Sequence, residues 1–114
     1  MALPEKIRKQ VTEILPAYCA ARCPANFKDE VRLGFMFRGN SVTLFEERPA
    51  FLIPGKWVEI VVAQFRYDHK SRLWMLYAAD RNSPWFRYWE IEPSRDFSDL
   101  LGEVEADPTG IFWG

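Results

Sequence analysis

From Pro4 to Cys19 apolar residues recur at helical spacing. Ile7, Val11, Ile14 and Tyr18 step by four, three and four, and Leu15 and Cys19 widen the stripe to a core-facing arc. Pro4 suits a first turn, where its missing N–H would be unpaired anyway. Pro16 removes an internal hydrogen bond and predicts a kink or break, and Pro24 closes the helix. At Val31 the period changes to two. Val31, Leu33, Phe35 and Phe37 alternate with Arg32, Gly34, Met36 and Arg38, and Gly39-Asn40 is a turn of hairpin length. Val42 and Leu44 continue as a second strand to Arg48, and Pro49 to Lys56, with its prolines and glycine, reads as a loop. Trp57 to Tyr67 is the longest strand pattern. It sets Val58, Ile60 and Val62 on one face and Val61, Ala63, Phe65 and Tyr67 on the other, which suits a central strand covered from both sides or capped by a partner.

Two further strands follow, Arg72 to Asp80 and Trp85 to Ile91, separated by turns at Asp68–Ser71 and Arg81–Pro84. Ser94 or Asp96 can cap a second helix, in which Phe97, Leu100, Leu101 and Val104 form one apolar face. Asp107-Pro108-Thr109-Gly110 stops it, and the apolar end Ile111-Phe112-Trp113 should dock on the sheet or on a neighbouring subunit. The predicted architecture is a single α+β domain over residues 1–114: an N-terminal helix, a five-stranded antiparallel meander sheet and a short C-terminal helix.

Composition adds three points. A chain of 114 residues, 48% of them hydrophobic, can bury a core without metals or disulfides. The formal net charge of −1 excludes a protein that holds polyanions by bulk charge. Charge is nonetheless uneven: Arg66, Lys70, Arg72, Arg81 and Arg87 outweigh Asp68 and Asp80 in a basic, aromatic middle, and Arg95 faces seven carboxylates from Glu90 onward. The first ten residues include the charged Glu5, Lys6, Arg8 and Lys9, no apolar run approaches the ~20 residues of a membrane span, and the two cysteines make no disulfide framework. The expectation is a reduced, cytoplasmic protein with no membrane partner.

Several stretches resemble a family of small bacterial proteins known as domain of unknown function 3024. They are Ala17-Tyr18-Cys19, Ser41 to Glu46, Arg48-Pro49, Pro54 to Ala63, Trp74 with Tyr77, Trp85 with Tyr88, and the closing Asp107 to Gly114, the most specific piece. Pro16 departs from the family's pattern. The resemblance implies the domain boundary and a bacterial origin, and it carries no activity.

Candidate chemistry is sparse. His69 is the only histidine and falls in a turn, so a two-histidine mechanism is excluded and a solvated role is expected. Cys19 and Cys23, four apart on a helix, read as core cysteines rather than half of a zinc site. Glu46 and Glu47 are adjacent on a strand and point to opposite faces. No phosphate loop or nucleophile elbow is present, and no catalytic set, metal or cofactor is assigned. The constellation that remains is Arg66, Arg72, Trp74, Arg81, Trp85, Arg87, Tyr88 and Trp89, on three successive strands and their turns. Tryptophan, tyrosine and arginine are the residues of protein-binding hot spots, and a sheet of rings and arginines also suits single-stranded nucleic acid. The expectation is a non-enzymatic binding module whose partner is a protein, its own copy included. The alternatives are a single-strand nucleic-acid binder, or a small hydrolase or nuclease built on Glu46, Arg48, Glu59 and His69.

Overall fold

The computed structural model describes residues 2–22, 31–80 and 84–113. Cys23, Pro24 and Arg81 lie outside the described residues. The chain forms α1 (Glu5–Arg22), β1 (Arg32–Arg38), β2 (Ser41–Pro49), β3 (Trp57–Asp68), β4 (Leu73–Ala78), β5 (Phe86–Arg87) and α2 (Phe97–Ala106). The strands make one antiparallel sheet in the order β1-β2-β3-β4-β5, as short turns between consecutive strands require.

The pairing register sorts the side chains. Phe35 and Phe37, Val42 and Leu44, Ala63, Phe65 and Tyr67, and Trp74 and Leu76 fall on one face. That inner face meets Val11 and Leu15 of α1 and Phe97, Leu100, Leu101 and Val104 of α2 in one buried core. Phe97 stands at its centre, with ring centroids 4.6 Å from Phe65 and 5.0 Å from Trp74. The helices are tied together at their far ends: Tyr18 donates to Glu105 at 2.6 Å, and Arg22 donates to the same carboxylate at 2.8 Å.

Four expectations change. First, α1 runs unbroken through Pro16. The carbonyl freed by the proline belongs to Thr12, and both residues are exposed, so water can serve it. Second, β3 does not alternate evenly. Leu44 pairs with Ala63 but Phe45 pairs with Val61, so Val62 is an extra, buried residue in a bulge. The bulge exchanges the faces: Ile60 and Val58 now share the inner face with Ala63, and Val61 joins Phe45 outside.

Third, β5 is only Phe86–Arg87, not Trp85 to Ile91. Tyr88 bonds Leu76, and Ser94 then bridges Trp74, close by on the same strand. The residues between have no strand left to pair with and bulge outward. Fourth, Gly34, placed by alternation among polar outer residues, is a packing site. The Phe45 ring lies over it, and a Cβ there would come within 2.8 Å of Phe45 Cζ.

The apolar end docks on its own chain. Asp107, the C-cap of α2 at φ 44°, accepts the backbone N–H groups of Phe112 and Trp113 at 3.0 and 2.9 Å. The Trp113 indole donates to the Val104 carbonyl, Phe112 packs on Tyr88, and Arg22 lies 3.7 Å above the Trp113 ring.

Candidate functional site

β2 and β3 are longer than their neighbours. β1 stops pairing at Glu47, and β4 pairs only with Gln64–Asp68, so Arg48–Pro49 and Trp57–Ala63 run on as a two-stranded arm. Among the described residues no strand pairs with the β4-side edge of β3 from Trp57 to Ala63. The arm lengthens the molecule to 46 Å against 30 and 26 Å across, and the radius of gyration, 14.5 Å, exceeds the ~13 Å of a round domain this size.

Its surface is apolar. At the tip Phe51 is 98% and Leu52 83% exposed, with Ile53 beside them. Val58 and Ile60 on the inner face and Val61 on the outer are also exposed. The charges around it balance: Arg32, Arg48 and Lys56 against Glu46, Glu47 and Glu59, with Arg48 bonded to Glu46 at 2.9 Å. Isolated exposed apolar residues are ordinary, but a contiguous set on a projecting hairpin marks an interaction surface.

The arginine and aromatic positions divide. Trp74 is 1% exposed and Tyr88 4%, so both belong to the core rather than to a contact face. Their rings lie on the helix-covered side, where alternation and the need to fill the core put them. Trp85 is half-buried, Arg72 is exposed in the β3–β4 turn, and Arg81 lies outside the described residues. What the structure brings together on the outer face is two stacked pairs. Arg66 sits 3.8 Å over Tyr77 and donates to Gln64 at 2.6 Å. Arg87 sits 4.2 Å over Trp89, which is 75% exposed because it falls in the bulge after β5. Arg87 and Trp89 also border a cavity of about 330 Å³ closed by Thr109 and Ile111.

The enzymatic set does not assemble. Glu46 is engaged by Arg48, and Glu59 and His69 stand at opposite ends of β3, about 33 Å apart along an extended strand. His69 is half-buried against Tyr67, with its Nε2 buried and unbonded, rather than solvated. No group of histidine, cysteine, aspartate and glutamate among the described residues is placed to hold a metal. No helix among them is long and apolar enough to cross a membrane. The perturbed groups are structural. Burial and then the bond to Glu105 raise the Tyr18 pKa, burial and then the bond to Glu103 raise that of Tyr88, and hydrogen bonds from Ser71 lower that of Asp68.

A family model described as a domain of unknown function (DUF3024) matches residues 3–114. The chain belongs to that family. No curated protein and no solved structure matches it. In this DUF3024 member the described part of the most specific stretch, Asp107 to Trp113, forms a helix cap whose carboxylate pins the tail. Of the other stretches that carry the resemblance, Ser41 to Glu46 supplies Val42 and Leu44 to the inner core, and Pro54 to Ala63 forms one side of the arm. The exposed apolar tip at Phe51 and Leu52 is hidden in the sequence by two prolines and a glycine that mark the stretch as a loop. The signal that could have found it is three consecutive large apolar residues inside turn-forming residues.

Proposed function

We propose that this DUF3024 chain is a non-enzymatic interaction module whose partner is a second copy of itself, joined along the β3 arm. The observation that carries the reading is the β3 edge from Trp57 to Ala63, unpaired among the described residues, with exposed Val58, Ile60 and Val61 on its two faces. An unpaired, apolar strand edge is a template for another strand. A strand meeting its own copy about a two-fold axis pairs antiparallel, the geometry of this sheet. Centred on Ile60, the pairing sets Glu59 opposite Val61 of the second copy, so no carboxylate meets its equivalent. The charge balance of the arm favours an apolar partner over an acidic or basic one. The reading carries with it a bacterial, reducing cytoplasm, consistent with the packing of Cys19 against the core.

The test is sedimentation equilibrium over a concentration series on the unmodified chain and on Ile60→Lys. The reading expects a dimer that the added edge charge converts to monomer, since lysine on an edge strand blocks pairing. A monomer at every concentration would remove the second copy as occupant.

One observation favours a second reading, single-stranded nucleic acid: Trp89 stands exposed beside Arg87, one strand from the Arg66–Tyr77 pair. Titration of a mixed-sequence oligonucleotide should then quench Trp89 fluorescence in a salt-sensitive, saturable way. An unchanged signal at low salt would exclude it.

A further inference from the structure

At the other end of β3 from the arm lies a second feature, independent of the first. A cavity of about 460 Å³ opens between the start of α1, the end of β3 and the segment leading into α2. Lys6, Arg72 and Arg95 line it, one from each of three parts of the chain, together with Gln10, Tyr67 and the apolar Pro4 and Ile7. Among the described residues no aspartate or glutamate lines it.

The three cations are not ion-paired among the described residues, and none makes a hydrogen bond to them through its side chain. Three of the acids near them in sequence are engaged by hydrogen bonds, and Glu92, three residues before Arg95, does not line the cavity. Asp68 accepts the Ser71 N–H, Asp96 caps α2 by accepting the Ser98 N–H, and Asp99 accepts the Ser94 hydroxyl. Glu5 precedes Lys6 on α1 and does not line the cavity. Lone surface arginines are usually solvated, but three cations converging on one concavity from separate elements repel one another unless an anion sits between them. The turn adds a second oddity. Arg72 has φ 61°, a left-handed conformation in which glycine costs nothing and arginine is strained.

We infer that this cavity binds a phosphate monoester, with Arg72, Arg95 and Lys6 on the phosphate oxygens. A monoester dianion exposes three terminal oxygens, enough to accept from all three cations, and guanidinium groups match them in bidentate fashion. The volume fits a small organic phosphate. The apolar wall of Pro4 and Ile7 and the polar Gln10 and Tyr67 are left for its organic part. Around Arg95 and Gln10 the surface continues into a neighbouring cavity of about 350 Å³ that Glu13 and Asp96 help line, a wall suited to hydroxyl groups.

The experiment is an amide-resolved NMR titration of the full chain at low salt with glycerol phosphate, and with dimethyl phosphate, a monoanionic diester, as comparator. The expected result is saturable shifts confined to residues 4–10, 67–73 and 94–97, with the diester roughly tenfold weaker or worse, given the extra strength of charge-assisted bonds. Arg72→Gly is the decisive variant, because it relieves the left-handed strain and so should melt at an equal or higher temperature while weakening glycerol phosphate binding by about tenfold. Arg95→Gln should weaken it similarly, and Lys56→Gln, which removes a charge at the far end of the molecule, should leave it unchanged. Equal affinity for the diester, an Arg72→Gly chain that binds as before, or the absence of saturation would each overturn the proposal.

Discussion

Phe51→Ser is the sharpest test of the arm. The residue is 98% exposed and touches nothing that holds the fold, so its loss should leave monomer stability within about 0.5 kcal/mol, the usual range for surface changes. At an interface the effect is different. Burying a phenylalanine side chain is worth about 1.5–3 kcal/mol, and in a two-fold dimer each substitution is counted twice. Taking ~2 kcal/mol per copy gives ~4 kcal/mol, and at about 1.4 kcal/mol per tenfold the dimer weakens by roughly a thousandfold. Leu52, 83% exposed, should behave similarly.

The assay is sedimentation velocity across two decades of concentration, paired with urea denaturation of the same samples at the lowest one. Dissociation without loss of stability is the expected pair of results. A dimer of unchanged affinity in Phe51→Ser would refute the tip as a contact. A chain that instead loses several kcal/mol of stability would show that Phe51 packs within its own copy, contrary to the exposure on which the argument rests.

Three other predictions concern the scaffold. Phe97→Ala should cost about 3–5 kcal/mol in urea denaturation, because the ring is 3% exposed and wedged between Phe65 and Trp74. Asp107→Ala should cost about 2–4 kcal/mol, from two backbone N–H groups that lose a charged acceptor and from an alanine held at positive φ, and should raise amide exchange at Phe112 and Trp113. Tyr18 and Tyr88 both have raised pKa values in the fold, so their contribution is fully present below about pH 10 and is lost as pH rises beyond it. The melting temperature should therefore fall above that pH, less steeply in Tyr18→Phe; a slope identical to that of the unmodified chain would show that Tyr18 plays no part in it.

The order of elements was legible because each signal was local. The stripe from Ile7 to Cys19, the alternation from Val31 to Phe37, the Gly39-Asn40 turn and the Asp96 cap all declare themselves within a few residues, and the structure keeps them. What was not legible depends on pairing between distant residues. The bulge at Val62 comes from β2 fixing Leu44 on Ala63 and Phe45 on Val61, which no window of β3 alone reveals. The shortness of β5 follows from where Tyr88 and Ser94 meet β4. The same holds for the candidate sites. Ring and arginine content singled out residues of β3, β4 and the segment after them, but which rings fill the core depends on the sheet face that meets the helices and on where β5 ends, and Trp74 and Tyr88 turn inward while Trp89 is exposed.

The two proposed surfaces sit at opposite ends of β3, whose twelve residues span about 40 Å. They also differ in chemistry. The arm is apolar and charge-balanced, so dimerisation through it should change little with salt, whereas the cavity of Lys6, Arg72 and Arg95 works through charge and should weaken steeply as salt screens it. Sites that far apart with no shared side chain are expected to act additively. Glycerol phosphate should therefore bind Phe51→Ser as it binds the unmodified chain, and Arg72→Gly should dimerise normally. Loss of both functions in either variant would mean that β3 transmits strain from end to end. The bulge at Val62, the one irregularity between the two sites, would then be the place to look for the coupling.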